Sequence, residues 1–249
     1  MSEKQVIVRV KRQAAPNQAA QWEEFALRWR PSMNVVICLR DIAENPVTRD
    51  GKKTTPVSYD SNCLEEVCGS CAMVINGKVR MACSALVDKL DQPIRLEPMT
   101  KFPVIRDLAV DRQFMFDSLK RVHAWIPIDG TYNLGEGPRV APEVQEKAYP
   151  LSRCISCGSC LEVCPQVNAG NKFIGAAIIS QVRLFNMHPT GAMNAKERIE
   201  AVMGEGGIEE CGNAQNCVKA CPKDIPLTES IADVNRQAWK QSLLGWLLG

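Results

Sequence analysis

Eleven of the chain's twelve cysteines fall into three tight groups, and any fold for this sequence has to be built around them. The first is Cys63-x4-Cys68-x2-Cys71, with Cys83 twelve positions further on. The second is Cys154-x2-Cys157-x2-Cys160-x3-Cys164-Pro165. The third, Cys211-x5-Cys217-x3-Cys221-Pro222, repeats the second with Ala214 where one cysteine would stand. Spacings of two to five residues put several thiols on one short loop, where they can converge on a single centre. Disulfides fit poorly. The 249 residues are 45% hydrophobic and 23% charged, enough for ordinary cores without covalent staples. Met1–Arg12 alternates polar and apolar residues and lacks the apolar stretch of a secretory leader. The longest apolar runs, Phe173–Ile179 and Leu243–Leu248, fall far short of the roughly 18–20 residues that span a bilayer. We therefore expect a soluble or peripheral chain in a reducing compartment, where clustered thiols are metal ligands. A net charge of +2 points to no nucleic-acid partner.

The first third reads as β-rich. Val6, Val8 and Val10 alternate onto one strand face, and Phe25, Leu27 and Trp29 do the same. A helix is expected from Asn34 as N-cap, with Val35, Cys38, Leu39 and Ile42 on one stripe. Cys38 lies outside the three groups and reads as a buried apolar residue. Asn76-Gly77, between Ala72–Ile75 and Lys78–Cys83, predicts a type I′ hairpin pairing Ile75 with Lys78 and Cys71 with Ala82. That register brings Cys83 beside Cys71. A last strand is expected over Pro93–Glu97. The remainder reads as helical: Asp111–Trp125, Ile174–Phe185, Ala195–Met203 with Gly204 as C′, and Leu227–Leu244 after Pro226. Ile126–Pro142 is expected to be a long irregular connection. The organisation is thus α+β, with a domain over residues 1–110 and another over 111–249.

The cysteine spacings specify the chemistry. Cys63, Cys68, Cys71 and Cys83 match the plant-type 2Fe–2S pattern, and the Cys154 group matches the bacterial ferredoxin run. Gly69 lets the first loop bend closely. Glu65 and Glu66 either add negative charge beside that cluster, lowering its potential, or form a solvated face. In two-cluster ferredoxins the fourth cysteine of each run ligates the other cluster. That swap assigns Cys154, Cys157, Cys160 and Cys221 to a 4Fe–4S centre, and Cys164, Cys211 and Cys217 to a second site. Alanine cannot bind iron, so three thiolates suit a 3Fe–4S cluster; a 4Fe–4S cluster with water or a distant ligand at the open corner is the alternative. Structural zinc fits poorly with an x4 spacing followed by a hairpin. The only histidines, His123 and His188, stand too far from a cysteine pair for a Rieske centre, and His188 reads as packed or capping. Neither a haem-attachment motif nor a nucleotide-binding glycine motif is present. No catalytic residue set is visible, so the chain is expected to be a conducting subunit whose partner holds the substrate and an organic cofactor.

At these residues the chain resembles the iron–sulfur subunits of succinate dehydrogenase and fumarate reductase, respiratory complex II. The likeness rests on Asn62-Cys63-Leu-Glu-Glu-Val-Cys68-Gly-Ser-Cys71-Ala-Met, on Asn76-Gly77-Lys78, on Phe102-Pro-Val-Ile-Arg-Asp-Leu108, on Cys154-Ile-Ser-Cys-Gly-Ser-Cys-Leu-Glu-Val-Cys164-Pro and on Asn216-Cys217-Val-Lys-Ala-Cys221-Pro. The resemblance implies an N-terminal β-grasp domain of the plant-ferredoxin kind and a C-terminal all-α helical ferredoxin domain. It further implies a 2Fe–2S centre that takes electrons from FAD on a flavoprotein partner oxidising succinate. A 4Fe–4S centre follows, then a 3Fe–4S centre that reduces quinone at a membrane anchor. Ubiquinone-linked relatives usually carry His after the first ligand of the third group and Trp shortly after the Cys-Pro. Here Gly212 and Pro165-Gln-Val-Asn-Ala169-Gly170 stand there, which resembles the menaquinone-linked branch, whose anchor is a cytochrome b carrying haem. Pro165 is then a candidate wall of the quinone site. The resemblance places the chain peripherally on the cytoplasmic face of the cell membrane. The Leu243–Leu248 tail is expected to pack internally rather than meet the anchor. Alternatives are the same subunit in a quinol:fumarate reductase, a freestanding ferredoxin-like carrier, and a zinc-stabilised interaction module.

Overall fold

The computed structural model describes residues 4–127 and 137–248. The chain divides into two compact units. One comprises residues 1–112 together with Ile155–Glu162; the other comprises Gln113–Cys154 and Val163–Gly249.

The first unit is organised by a five-stranded mixed sheet. Its strands are β1 (Gln5–Arg12), β2 (Gln21–Arg28), β3 (Ala72–Ile75), β4 (Lys78–Met81) and β5 (Ile94–Glu97), in the order β2-β1-β5-β3-β4. β1 and β5 pair in parallel and the other neighbours are antiparallel. Val6, Val8 and Val10 are fully buried on the face the alternation assigned to them, with Phe25, Ile94 and Leu96. The helix α1 (Val35–Glu44) begins where expected: the Asn34 side chain accepts a hydrogen bond from the Ile37 N–H, and Cys38, Leu39 and Ile42 are buried. Burial pushes the Cys38 thiol up to about 12, which suits an inert core residue. The hairpin keeps its predicted register, Ile75 opposite Lys78, with Asn76 and Gly77 at φ +50° and +76° as a type I′ turn requires. Two short strands, β6 (Val104–Arg106) and β7 (Ala109–Val110), follow.

Asp107 sits between them, with φ +47°. Its carboxylate accepts from Arg12 Nε at 3.0 Å, the Gln13 N–H at 3.0 Å and the Ser58 N–H at 2.9 Å. Arg12 in turn donates to Glu23 at 2.5 Å and to the Thr55 carbonyl at 3.1 Å. Two separate segments, Arg12–Gln13 and the chain at Ser58, thus close on one buried carboxylate. Asp107→Leu should destabilise the unit by about 3–5 kcal/mol, because a buried guanidinium loses one of its two counter-charges. Asp107→Asn removes the same charge and turns an NH2 toward the Ser58 N–H, but its oxygen still accepts from Arg12 and Gln13 and Asn tolerates the left-handed backbone, so it should cost less, about 2–3 kcal/mol. Denaturant unfolding of the two variants checks this ordering.

The second unit is helical: α2 (Gln113–Arg121), α3 (Pro142–Ser152), α5 (Ala176–Met187), α6 (Ala195–Met203), α7 (Asn216–Ala220) and α8 (Leu227–Leu248), with a small hairpin of β8 (Val167–Asn168) and β9 (Asn171–Lys172). The one-turn helix α4 (Ser159–Glu162) belongs to the first unit. Ile178, Ile179 and Val182 of α5, Ile199 and Val202 of α6, and Val234 and Ala238 of α8 form the core of the second unit. The expected helices are present with boundaries shifted by a few residues. α3 is an addition: its charged face and internal Pro150 hide it from periodicity, while Pro142 at its first turn starts it. The expected irregular stretch holds no regular element over 137–141, and 128–136 lie outside the described residues. Gly204 follows α6 with φ −73°, so it is not a left-handed cap; Gly206, at φ +70°, makes the reversal. His188 sits at the end of α5, where its Nδ1 accepts from the Gly191 N–H, as a capping residue does.

α8 continues to Leu248, four residues beyond the expected end. The internally packed tail is overturned: Leu243, Trp246 and Leu247 are 54, 79 and 68% exposed. The physical reason is that the helix carries them on the side away from Val234 and Ala238.

Candidate iron–sulfur sites

In the first unit, the loop from Cys63 to Cys71 alternates backbone handedness, with Leu64, Glu66 and Gly69 at φ +61°, +56° and +73°. This turns amide groups inward. The N–H groups of Glu65, Val67 and Cys68 point at Cys63 Sγ at 3.4, 3.3 and 3.3 Å, and that of Ser70 at Cys68 Sγ at 3.5 Å. Such donors stabilise thiolate. The Cys63 backbone, followed by the Ser70 hydroxyl and N–H, holds Cys68 down to about 6. Cys83 arrives through the hairpin, where the Ala82 N–H donates to the Cys71 carbonyl at 3.1 Å. Burial, then the Cys71 thiol, push Cys83 up to about 11, and the charge of Cys63 adds to this. The Cys83 thiol therefore senses those of Cys71 and Cys63. Of the two glutamates in this loop, Glu65 is exposed and Glu66 half-buried.

Gly69 has a second reason to be glycine. A Cβ there would lie 2.5 Å from the Ile155 carbonyl oxygen and 3.0 Å from Cys157 Cα. Arg112 holds the same turn by donating to the Gly69 and Ser70 carbonyls. Gly69→Ala should cost at least about 2 kcal/mol, from the left-handed backbone plus the backbone clash. It should also lower iron and sulfide content. A variant that melts and loads like the parent would show that this close approach is unimportant.

Cys157 and Cys160 lie in the Ile155–Glu162 segment of the first unit; Cys154 and Cys221 lie in the second unit. Ser156 and Gly158 at φ +48° and +84° repeat the alternation of the Cys63 loop, and Cys157 Sγ is 3.3 Å from Ser159 Oγ. Glu162 anchors this segment by accepting from Thr100 Oγ1 at 2.7 Å and the Lys101 N–H at 3.0 Å.

The third group is wholly within the second unit. Cys164, Cys211 and Cys217 line one cavity with Ala214, and Pro165, Phe173 and Ile231 give it an apolar wall. Burial raises the Cys217 thiol, and the charges of Cys164 and Cys211 add to the rise. Asn213 and Gln215, at φ +52° and +59°, curl the loop around Ala214. Asn216 fastens it by donating to the Val163 carbonyl at 3.2 Å. A Cβ at Gly212 would stand 2.6 Å from Gln166 Nε2, so the Gln166 amide fills the space that a side chain at 212 would take. Gln166 is a neighbour of these cysteines that spacing alone did not single out.

Among the described residues, no three His, Cys, Asp or Glu side chains are arranged to hold a single metal ion. A polynuclear cluster holds its thiolates further apart than one ion does, because sulfide and several irons lie between them. Thiol-only donor groups, amide N–H groups aimed at sulfur and left-handed loop residues suit such clusters.

Comparison with known proteins agrees with this chemistry. Residues 7–117 match the 2Fe–2S iron–sulfur cluster binding domain, and residues 150–225 match the 4Fe–4S dicluster domain. The chain is 64% identical to the succinate dehydrogenase iron–sulfur subunit of Bacillus subtilis over 214 residues, 86% of this chain and 85% of that protein. It is 32% identical to the fumarate reductase iron–sulfur subunit of Wolinella succinogenes, over 87% of this chain and 89% of that one. The fold matches a chain of the Mycobacterium smegmatis Sdh1 complex with a TM-score of 0.81 at 22% identity, covering 96% of this chain and 98% of that one. With thiol loops built for clusters, and with likeness along most of its length, the chain belongs to the family of succinate dehydrogenase and fumarate reductase iron–sulfur subunits, and its part in that enzyme is electron transfer.

Proposed function

We propose that this chain relays electrons from a flavoprotein that oxidises succinate to menaquinone at a cytochrome b membrane anchor. Bound clusters supply the one-electron conduction. The domain over residues 1–110 would receive electrons, with Cys63, Cys68, Cys71 and Cys83 holding a 2Fe–2S centre. The domain over 111–249 would pass them on: Cys154, Cys157, Cys160 and Cys221 hold a 4Fe–4S centre, and Cys164, Cys211 and Cys217 a 3Fe–4S centre. FAD and haem b belong to the partners in this reading, and the chain sits peripherally on the cytoplasmic face of the membrane.

The observation that carries the proposal is the cavity of Cys164, Cys211, Cys217 and Ala214. Its ligand-deficient corner suits the terminal, specialised member of a relay. Pro165 in the same cavity would present an apolar wall to a quinone ring. Gly212, standing where ubiquinone-linked relatives carry histidine, supports the menaquinone branch. The same subunit in a quinol:fumarate reductase is the second reading, favoured by the fumarate reductase relatives such as that of Wolinella succinogenes.

An EPR redox titration of the intact complex tests the assignment. It should give a 3Fe–4S signal in the oxidised state, with 2Fe–2S and 4Fe–4S signals on reduction. Fully iron-loaded complex with no oxidised 3Fe–4S signal would refute the third site. Midpoints far above any menaquinone would refute the choice of quinone.

A further inference from the structure

We propose that the last turns of α8 lie on a bilayer surface bearing anionic headgroups. Trp239, Leu243, Trp246 and Leu247 recur at i, i+4, i+7 and i+8 and so form one stripe. They are 54–79% exposed. The buried face of the helix, with Ser230, Val234 and Ala238, lies on the opposite side. The stripe is therefore no unfinished part of the core. On the same solvent-facing side, one and two turns earlier, stand Ala232, Asn235 and Arg236, all exposed. One face thus changes from small and polar to large and apolar along its length.

Charge selects the occupant. From Val234 onward the sequence contains Arg236 and Lys240 and no Asp or Glu. Both cations are exposed along the stripe; Arg236 also bonds Asp233, which it shares with Arg183. A second copy packed stripe to stripe would bring the same cations; the carboxylates of this helix, Glu229 and Asp233, precede the stripe, and Asp233 is already engaged by Arg183 and Arg236. An anionic bilayer answers both features: the stripe enters the boundary between headgroups and chains, tryptophans favour that depth, and the basic residues meet the phosphates. No helix among the described residues is long and apolar enough to cross a membrane, so the stripe would lie in the interface rather than span it.

This contact is separate from the electron route, and it is read with no donor or quinone present. The full chain carrying its clusters is mixed with vesicles of phosphatidylcholine, with or without phosphatidylglycerol, and sedimented. The parent chain should bind the phosphatidylglycerol vesicles, and brominated lipid chains should quench its tryptophan fluorescence. Trp239→Ser with Trp246→Ser should weaken binding at least about tenfold while the cluster EPR signals stay unchanged. Lys240→Gln should weaken it about fivefold, and only for the anionic vesicles. The proposal is overturned if the parent chain ignores vesicles, or if the double variant binds as well as the parent. It is equally overturned if the stripe instead drives dimerisation in solution, or if binding requires an integral protein in the vesicles.

Discussion

Replacing Ala214 by cysteine should abolish the 3Fe–4S signal of the oxidised complex and install a fourth iron in its third centre. Ala214 already lines the cavity of Cys164, Cys211 and Cys217, and the left-handed residues on either side of it curl the loop around that cavity. A thiol at 214 would complete the Cys-x2-Cys-x2-Cys-x3-Cys run without moving the backbone. Cluster type and net charge set potential, so the midpoint of this centre should fall by on the order of 100 mV or more. Quinone reduction should slow at least about tenfold as the last step becomes less favourable. Ala214→Ser separates ligand chemistry from size: it should keep the 3Fe–4S signal. If the cysteine variant, fully loaded with iron, keeps its oxidised signal and midpoint, these three thiols do not form the third centre as assigned.

The second large effect concerns stability. Arg198 is 0% exposed in the helical unit, yet no carboxylate accepts from its guanidinium among the hydrogen bonds described. It donates instead to the His123 carbonyl at 2.9 Å, the Trp125 carbonyl at 2.7 Å, the Gly191 carbonyl at 2.6 Å and Asn186 Oδ1 at 3.1 Å. These acceptors come from the chain after α2, from α5, and from the turn before α6. One side chain thus ties three segments, and the left-handed His123 backbone, at φ +51°, aims two of the carbonyls at it. Arg198→Met keeps much of the apolar stem but strands four acceptors, the Gly191 carbonyl buried and the other three half-buried. The expected loss is about 3–5 kcal/mol. That corresponds to roughly 10–20 °C in the melting of the helical unit, followed by far-UV circular dichroism. Arg198→Lys should recover only part of this, because one ammonium cannot reach acceptors spread around a planar fork. Melting of Arg198→Met within a few degrees of the parent would show that water satisfies these carbonyls and that the knot is dispensable.

Arg198 illustrates what periodicity misses. It shares a stripe with Ile199 and Val202, and a lone arginine on an apolar face was the available signal. Two of its partners, however, are the backbone carbonyls of His123 and Trp125, 75 and 73 positions away, and nothing in their side chains announces them. Gly69 is similar. As a loop glycine it was legible, but the backbone it admits is Ile155–Cys157. Asp107 was legible only as a member of the Phe102–Leu108 run, although it gathers Arg12, Gln13 and Ser58. The tail of α8 was misjudged for the converse reason. Apolar residues usually pack inward, and only the direction of the helix shows that these four point away from the core.

What could be read directly from residue order was local: thiols three to six positions apart, a hairpin closed by Asn76-Gly77, an N-cap at Asn34, and alternating valines. Each is settled by backbone geometry within a few bonds, so spacing translates directly into distance. Which distant segment fills the space over Gly69 or Gly212, which carbonyls receive a buried guanidinium, and which apolar stripe is left facing outward all depend on how separate elements pack. Those outcomes are decided by burial and hydrogen-bond satisfaction summed over many residues, and no short stretch of the chain carries that sum.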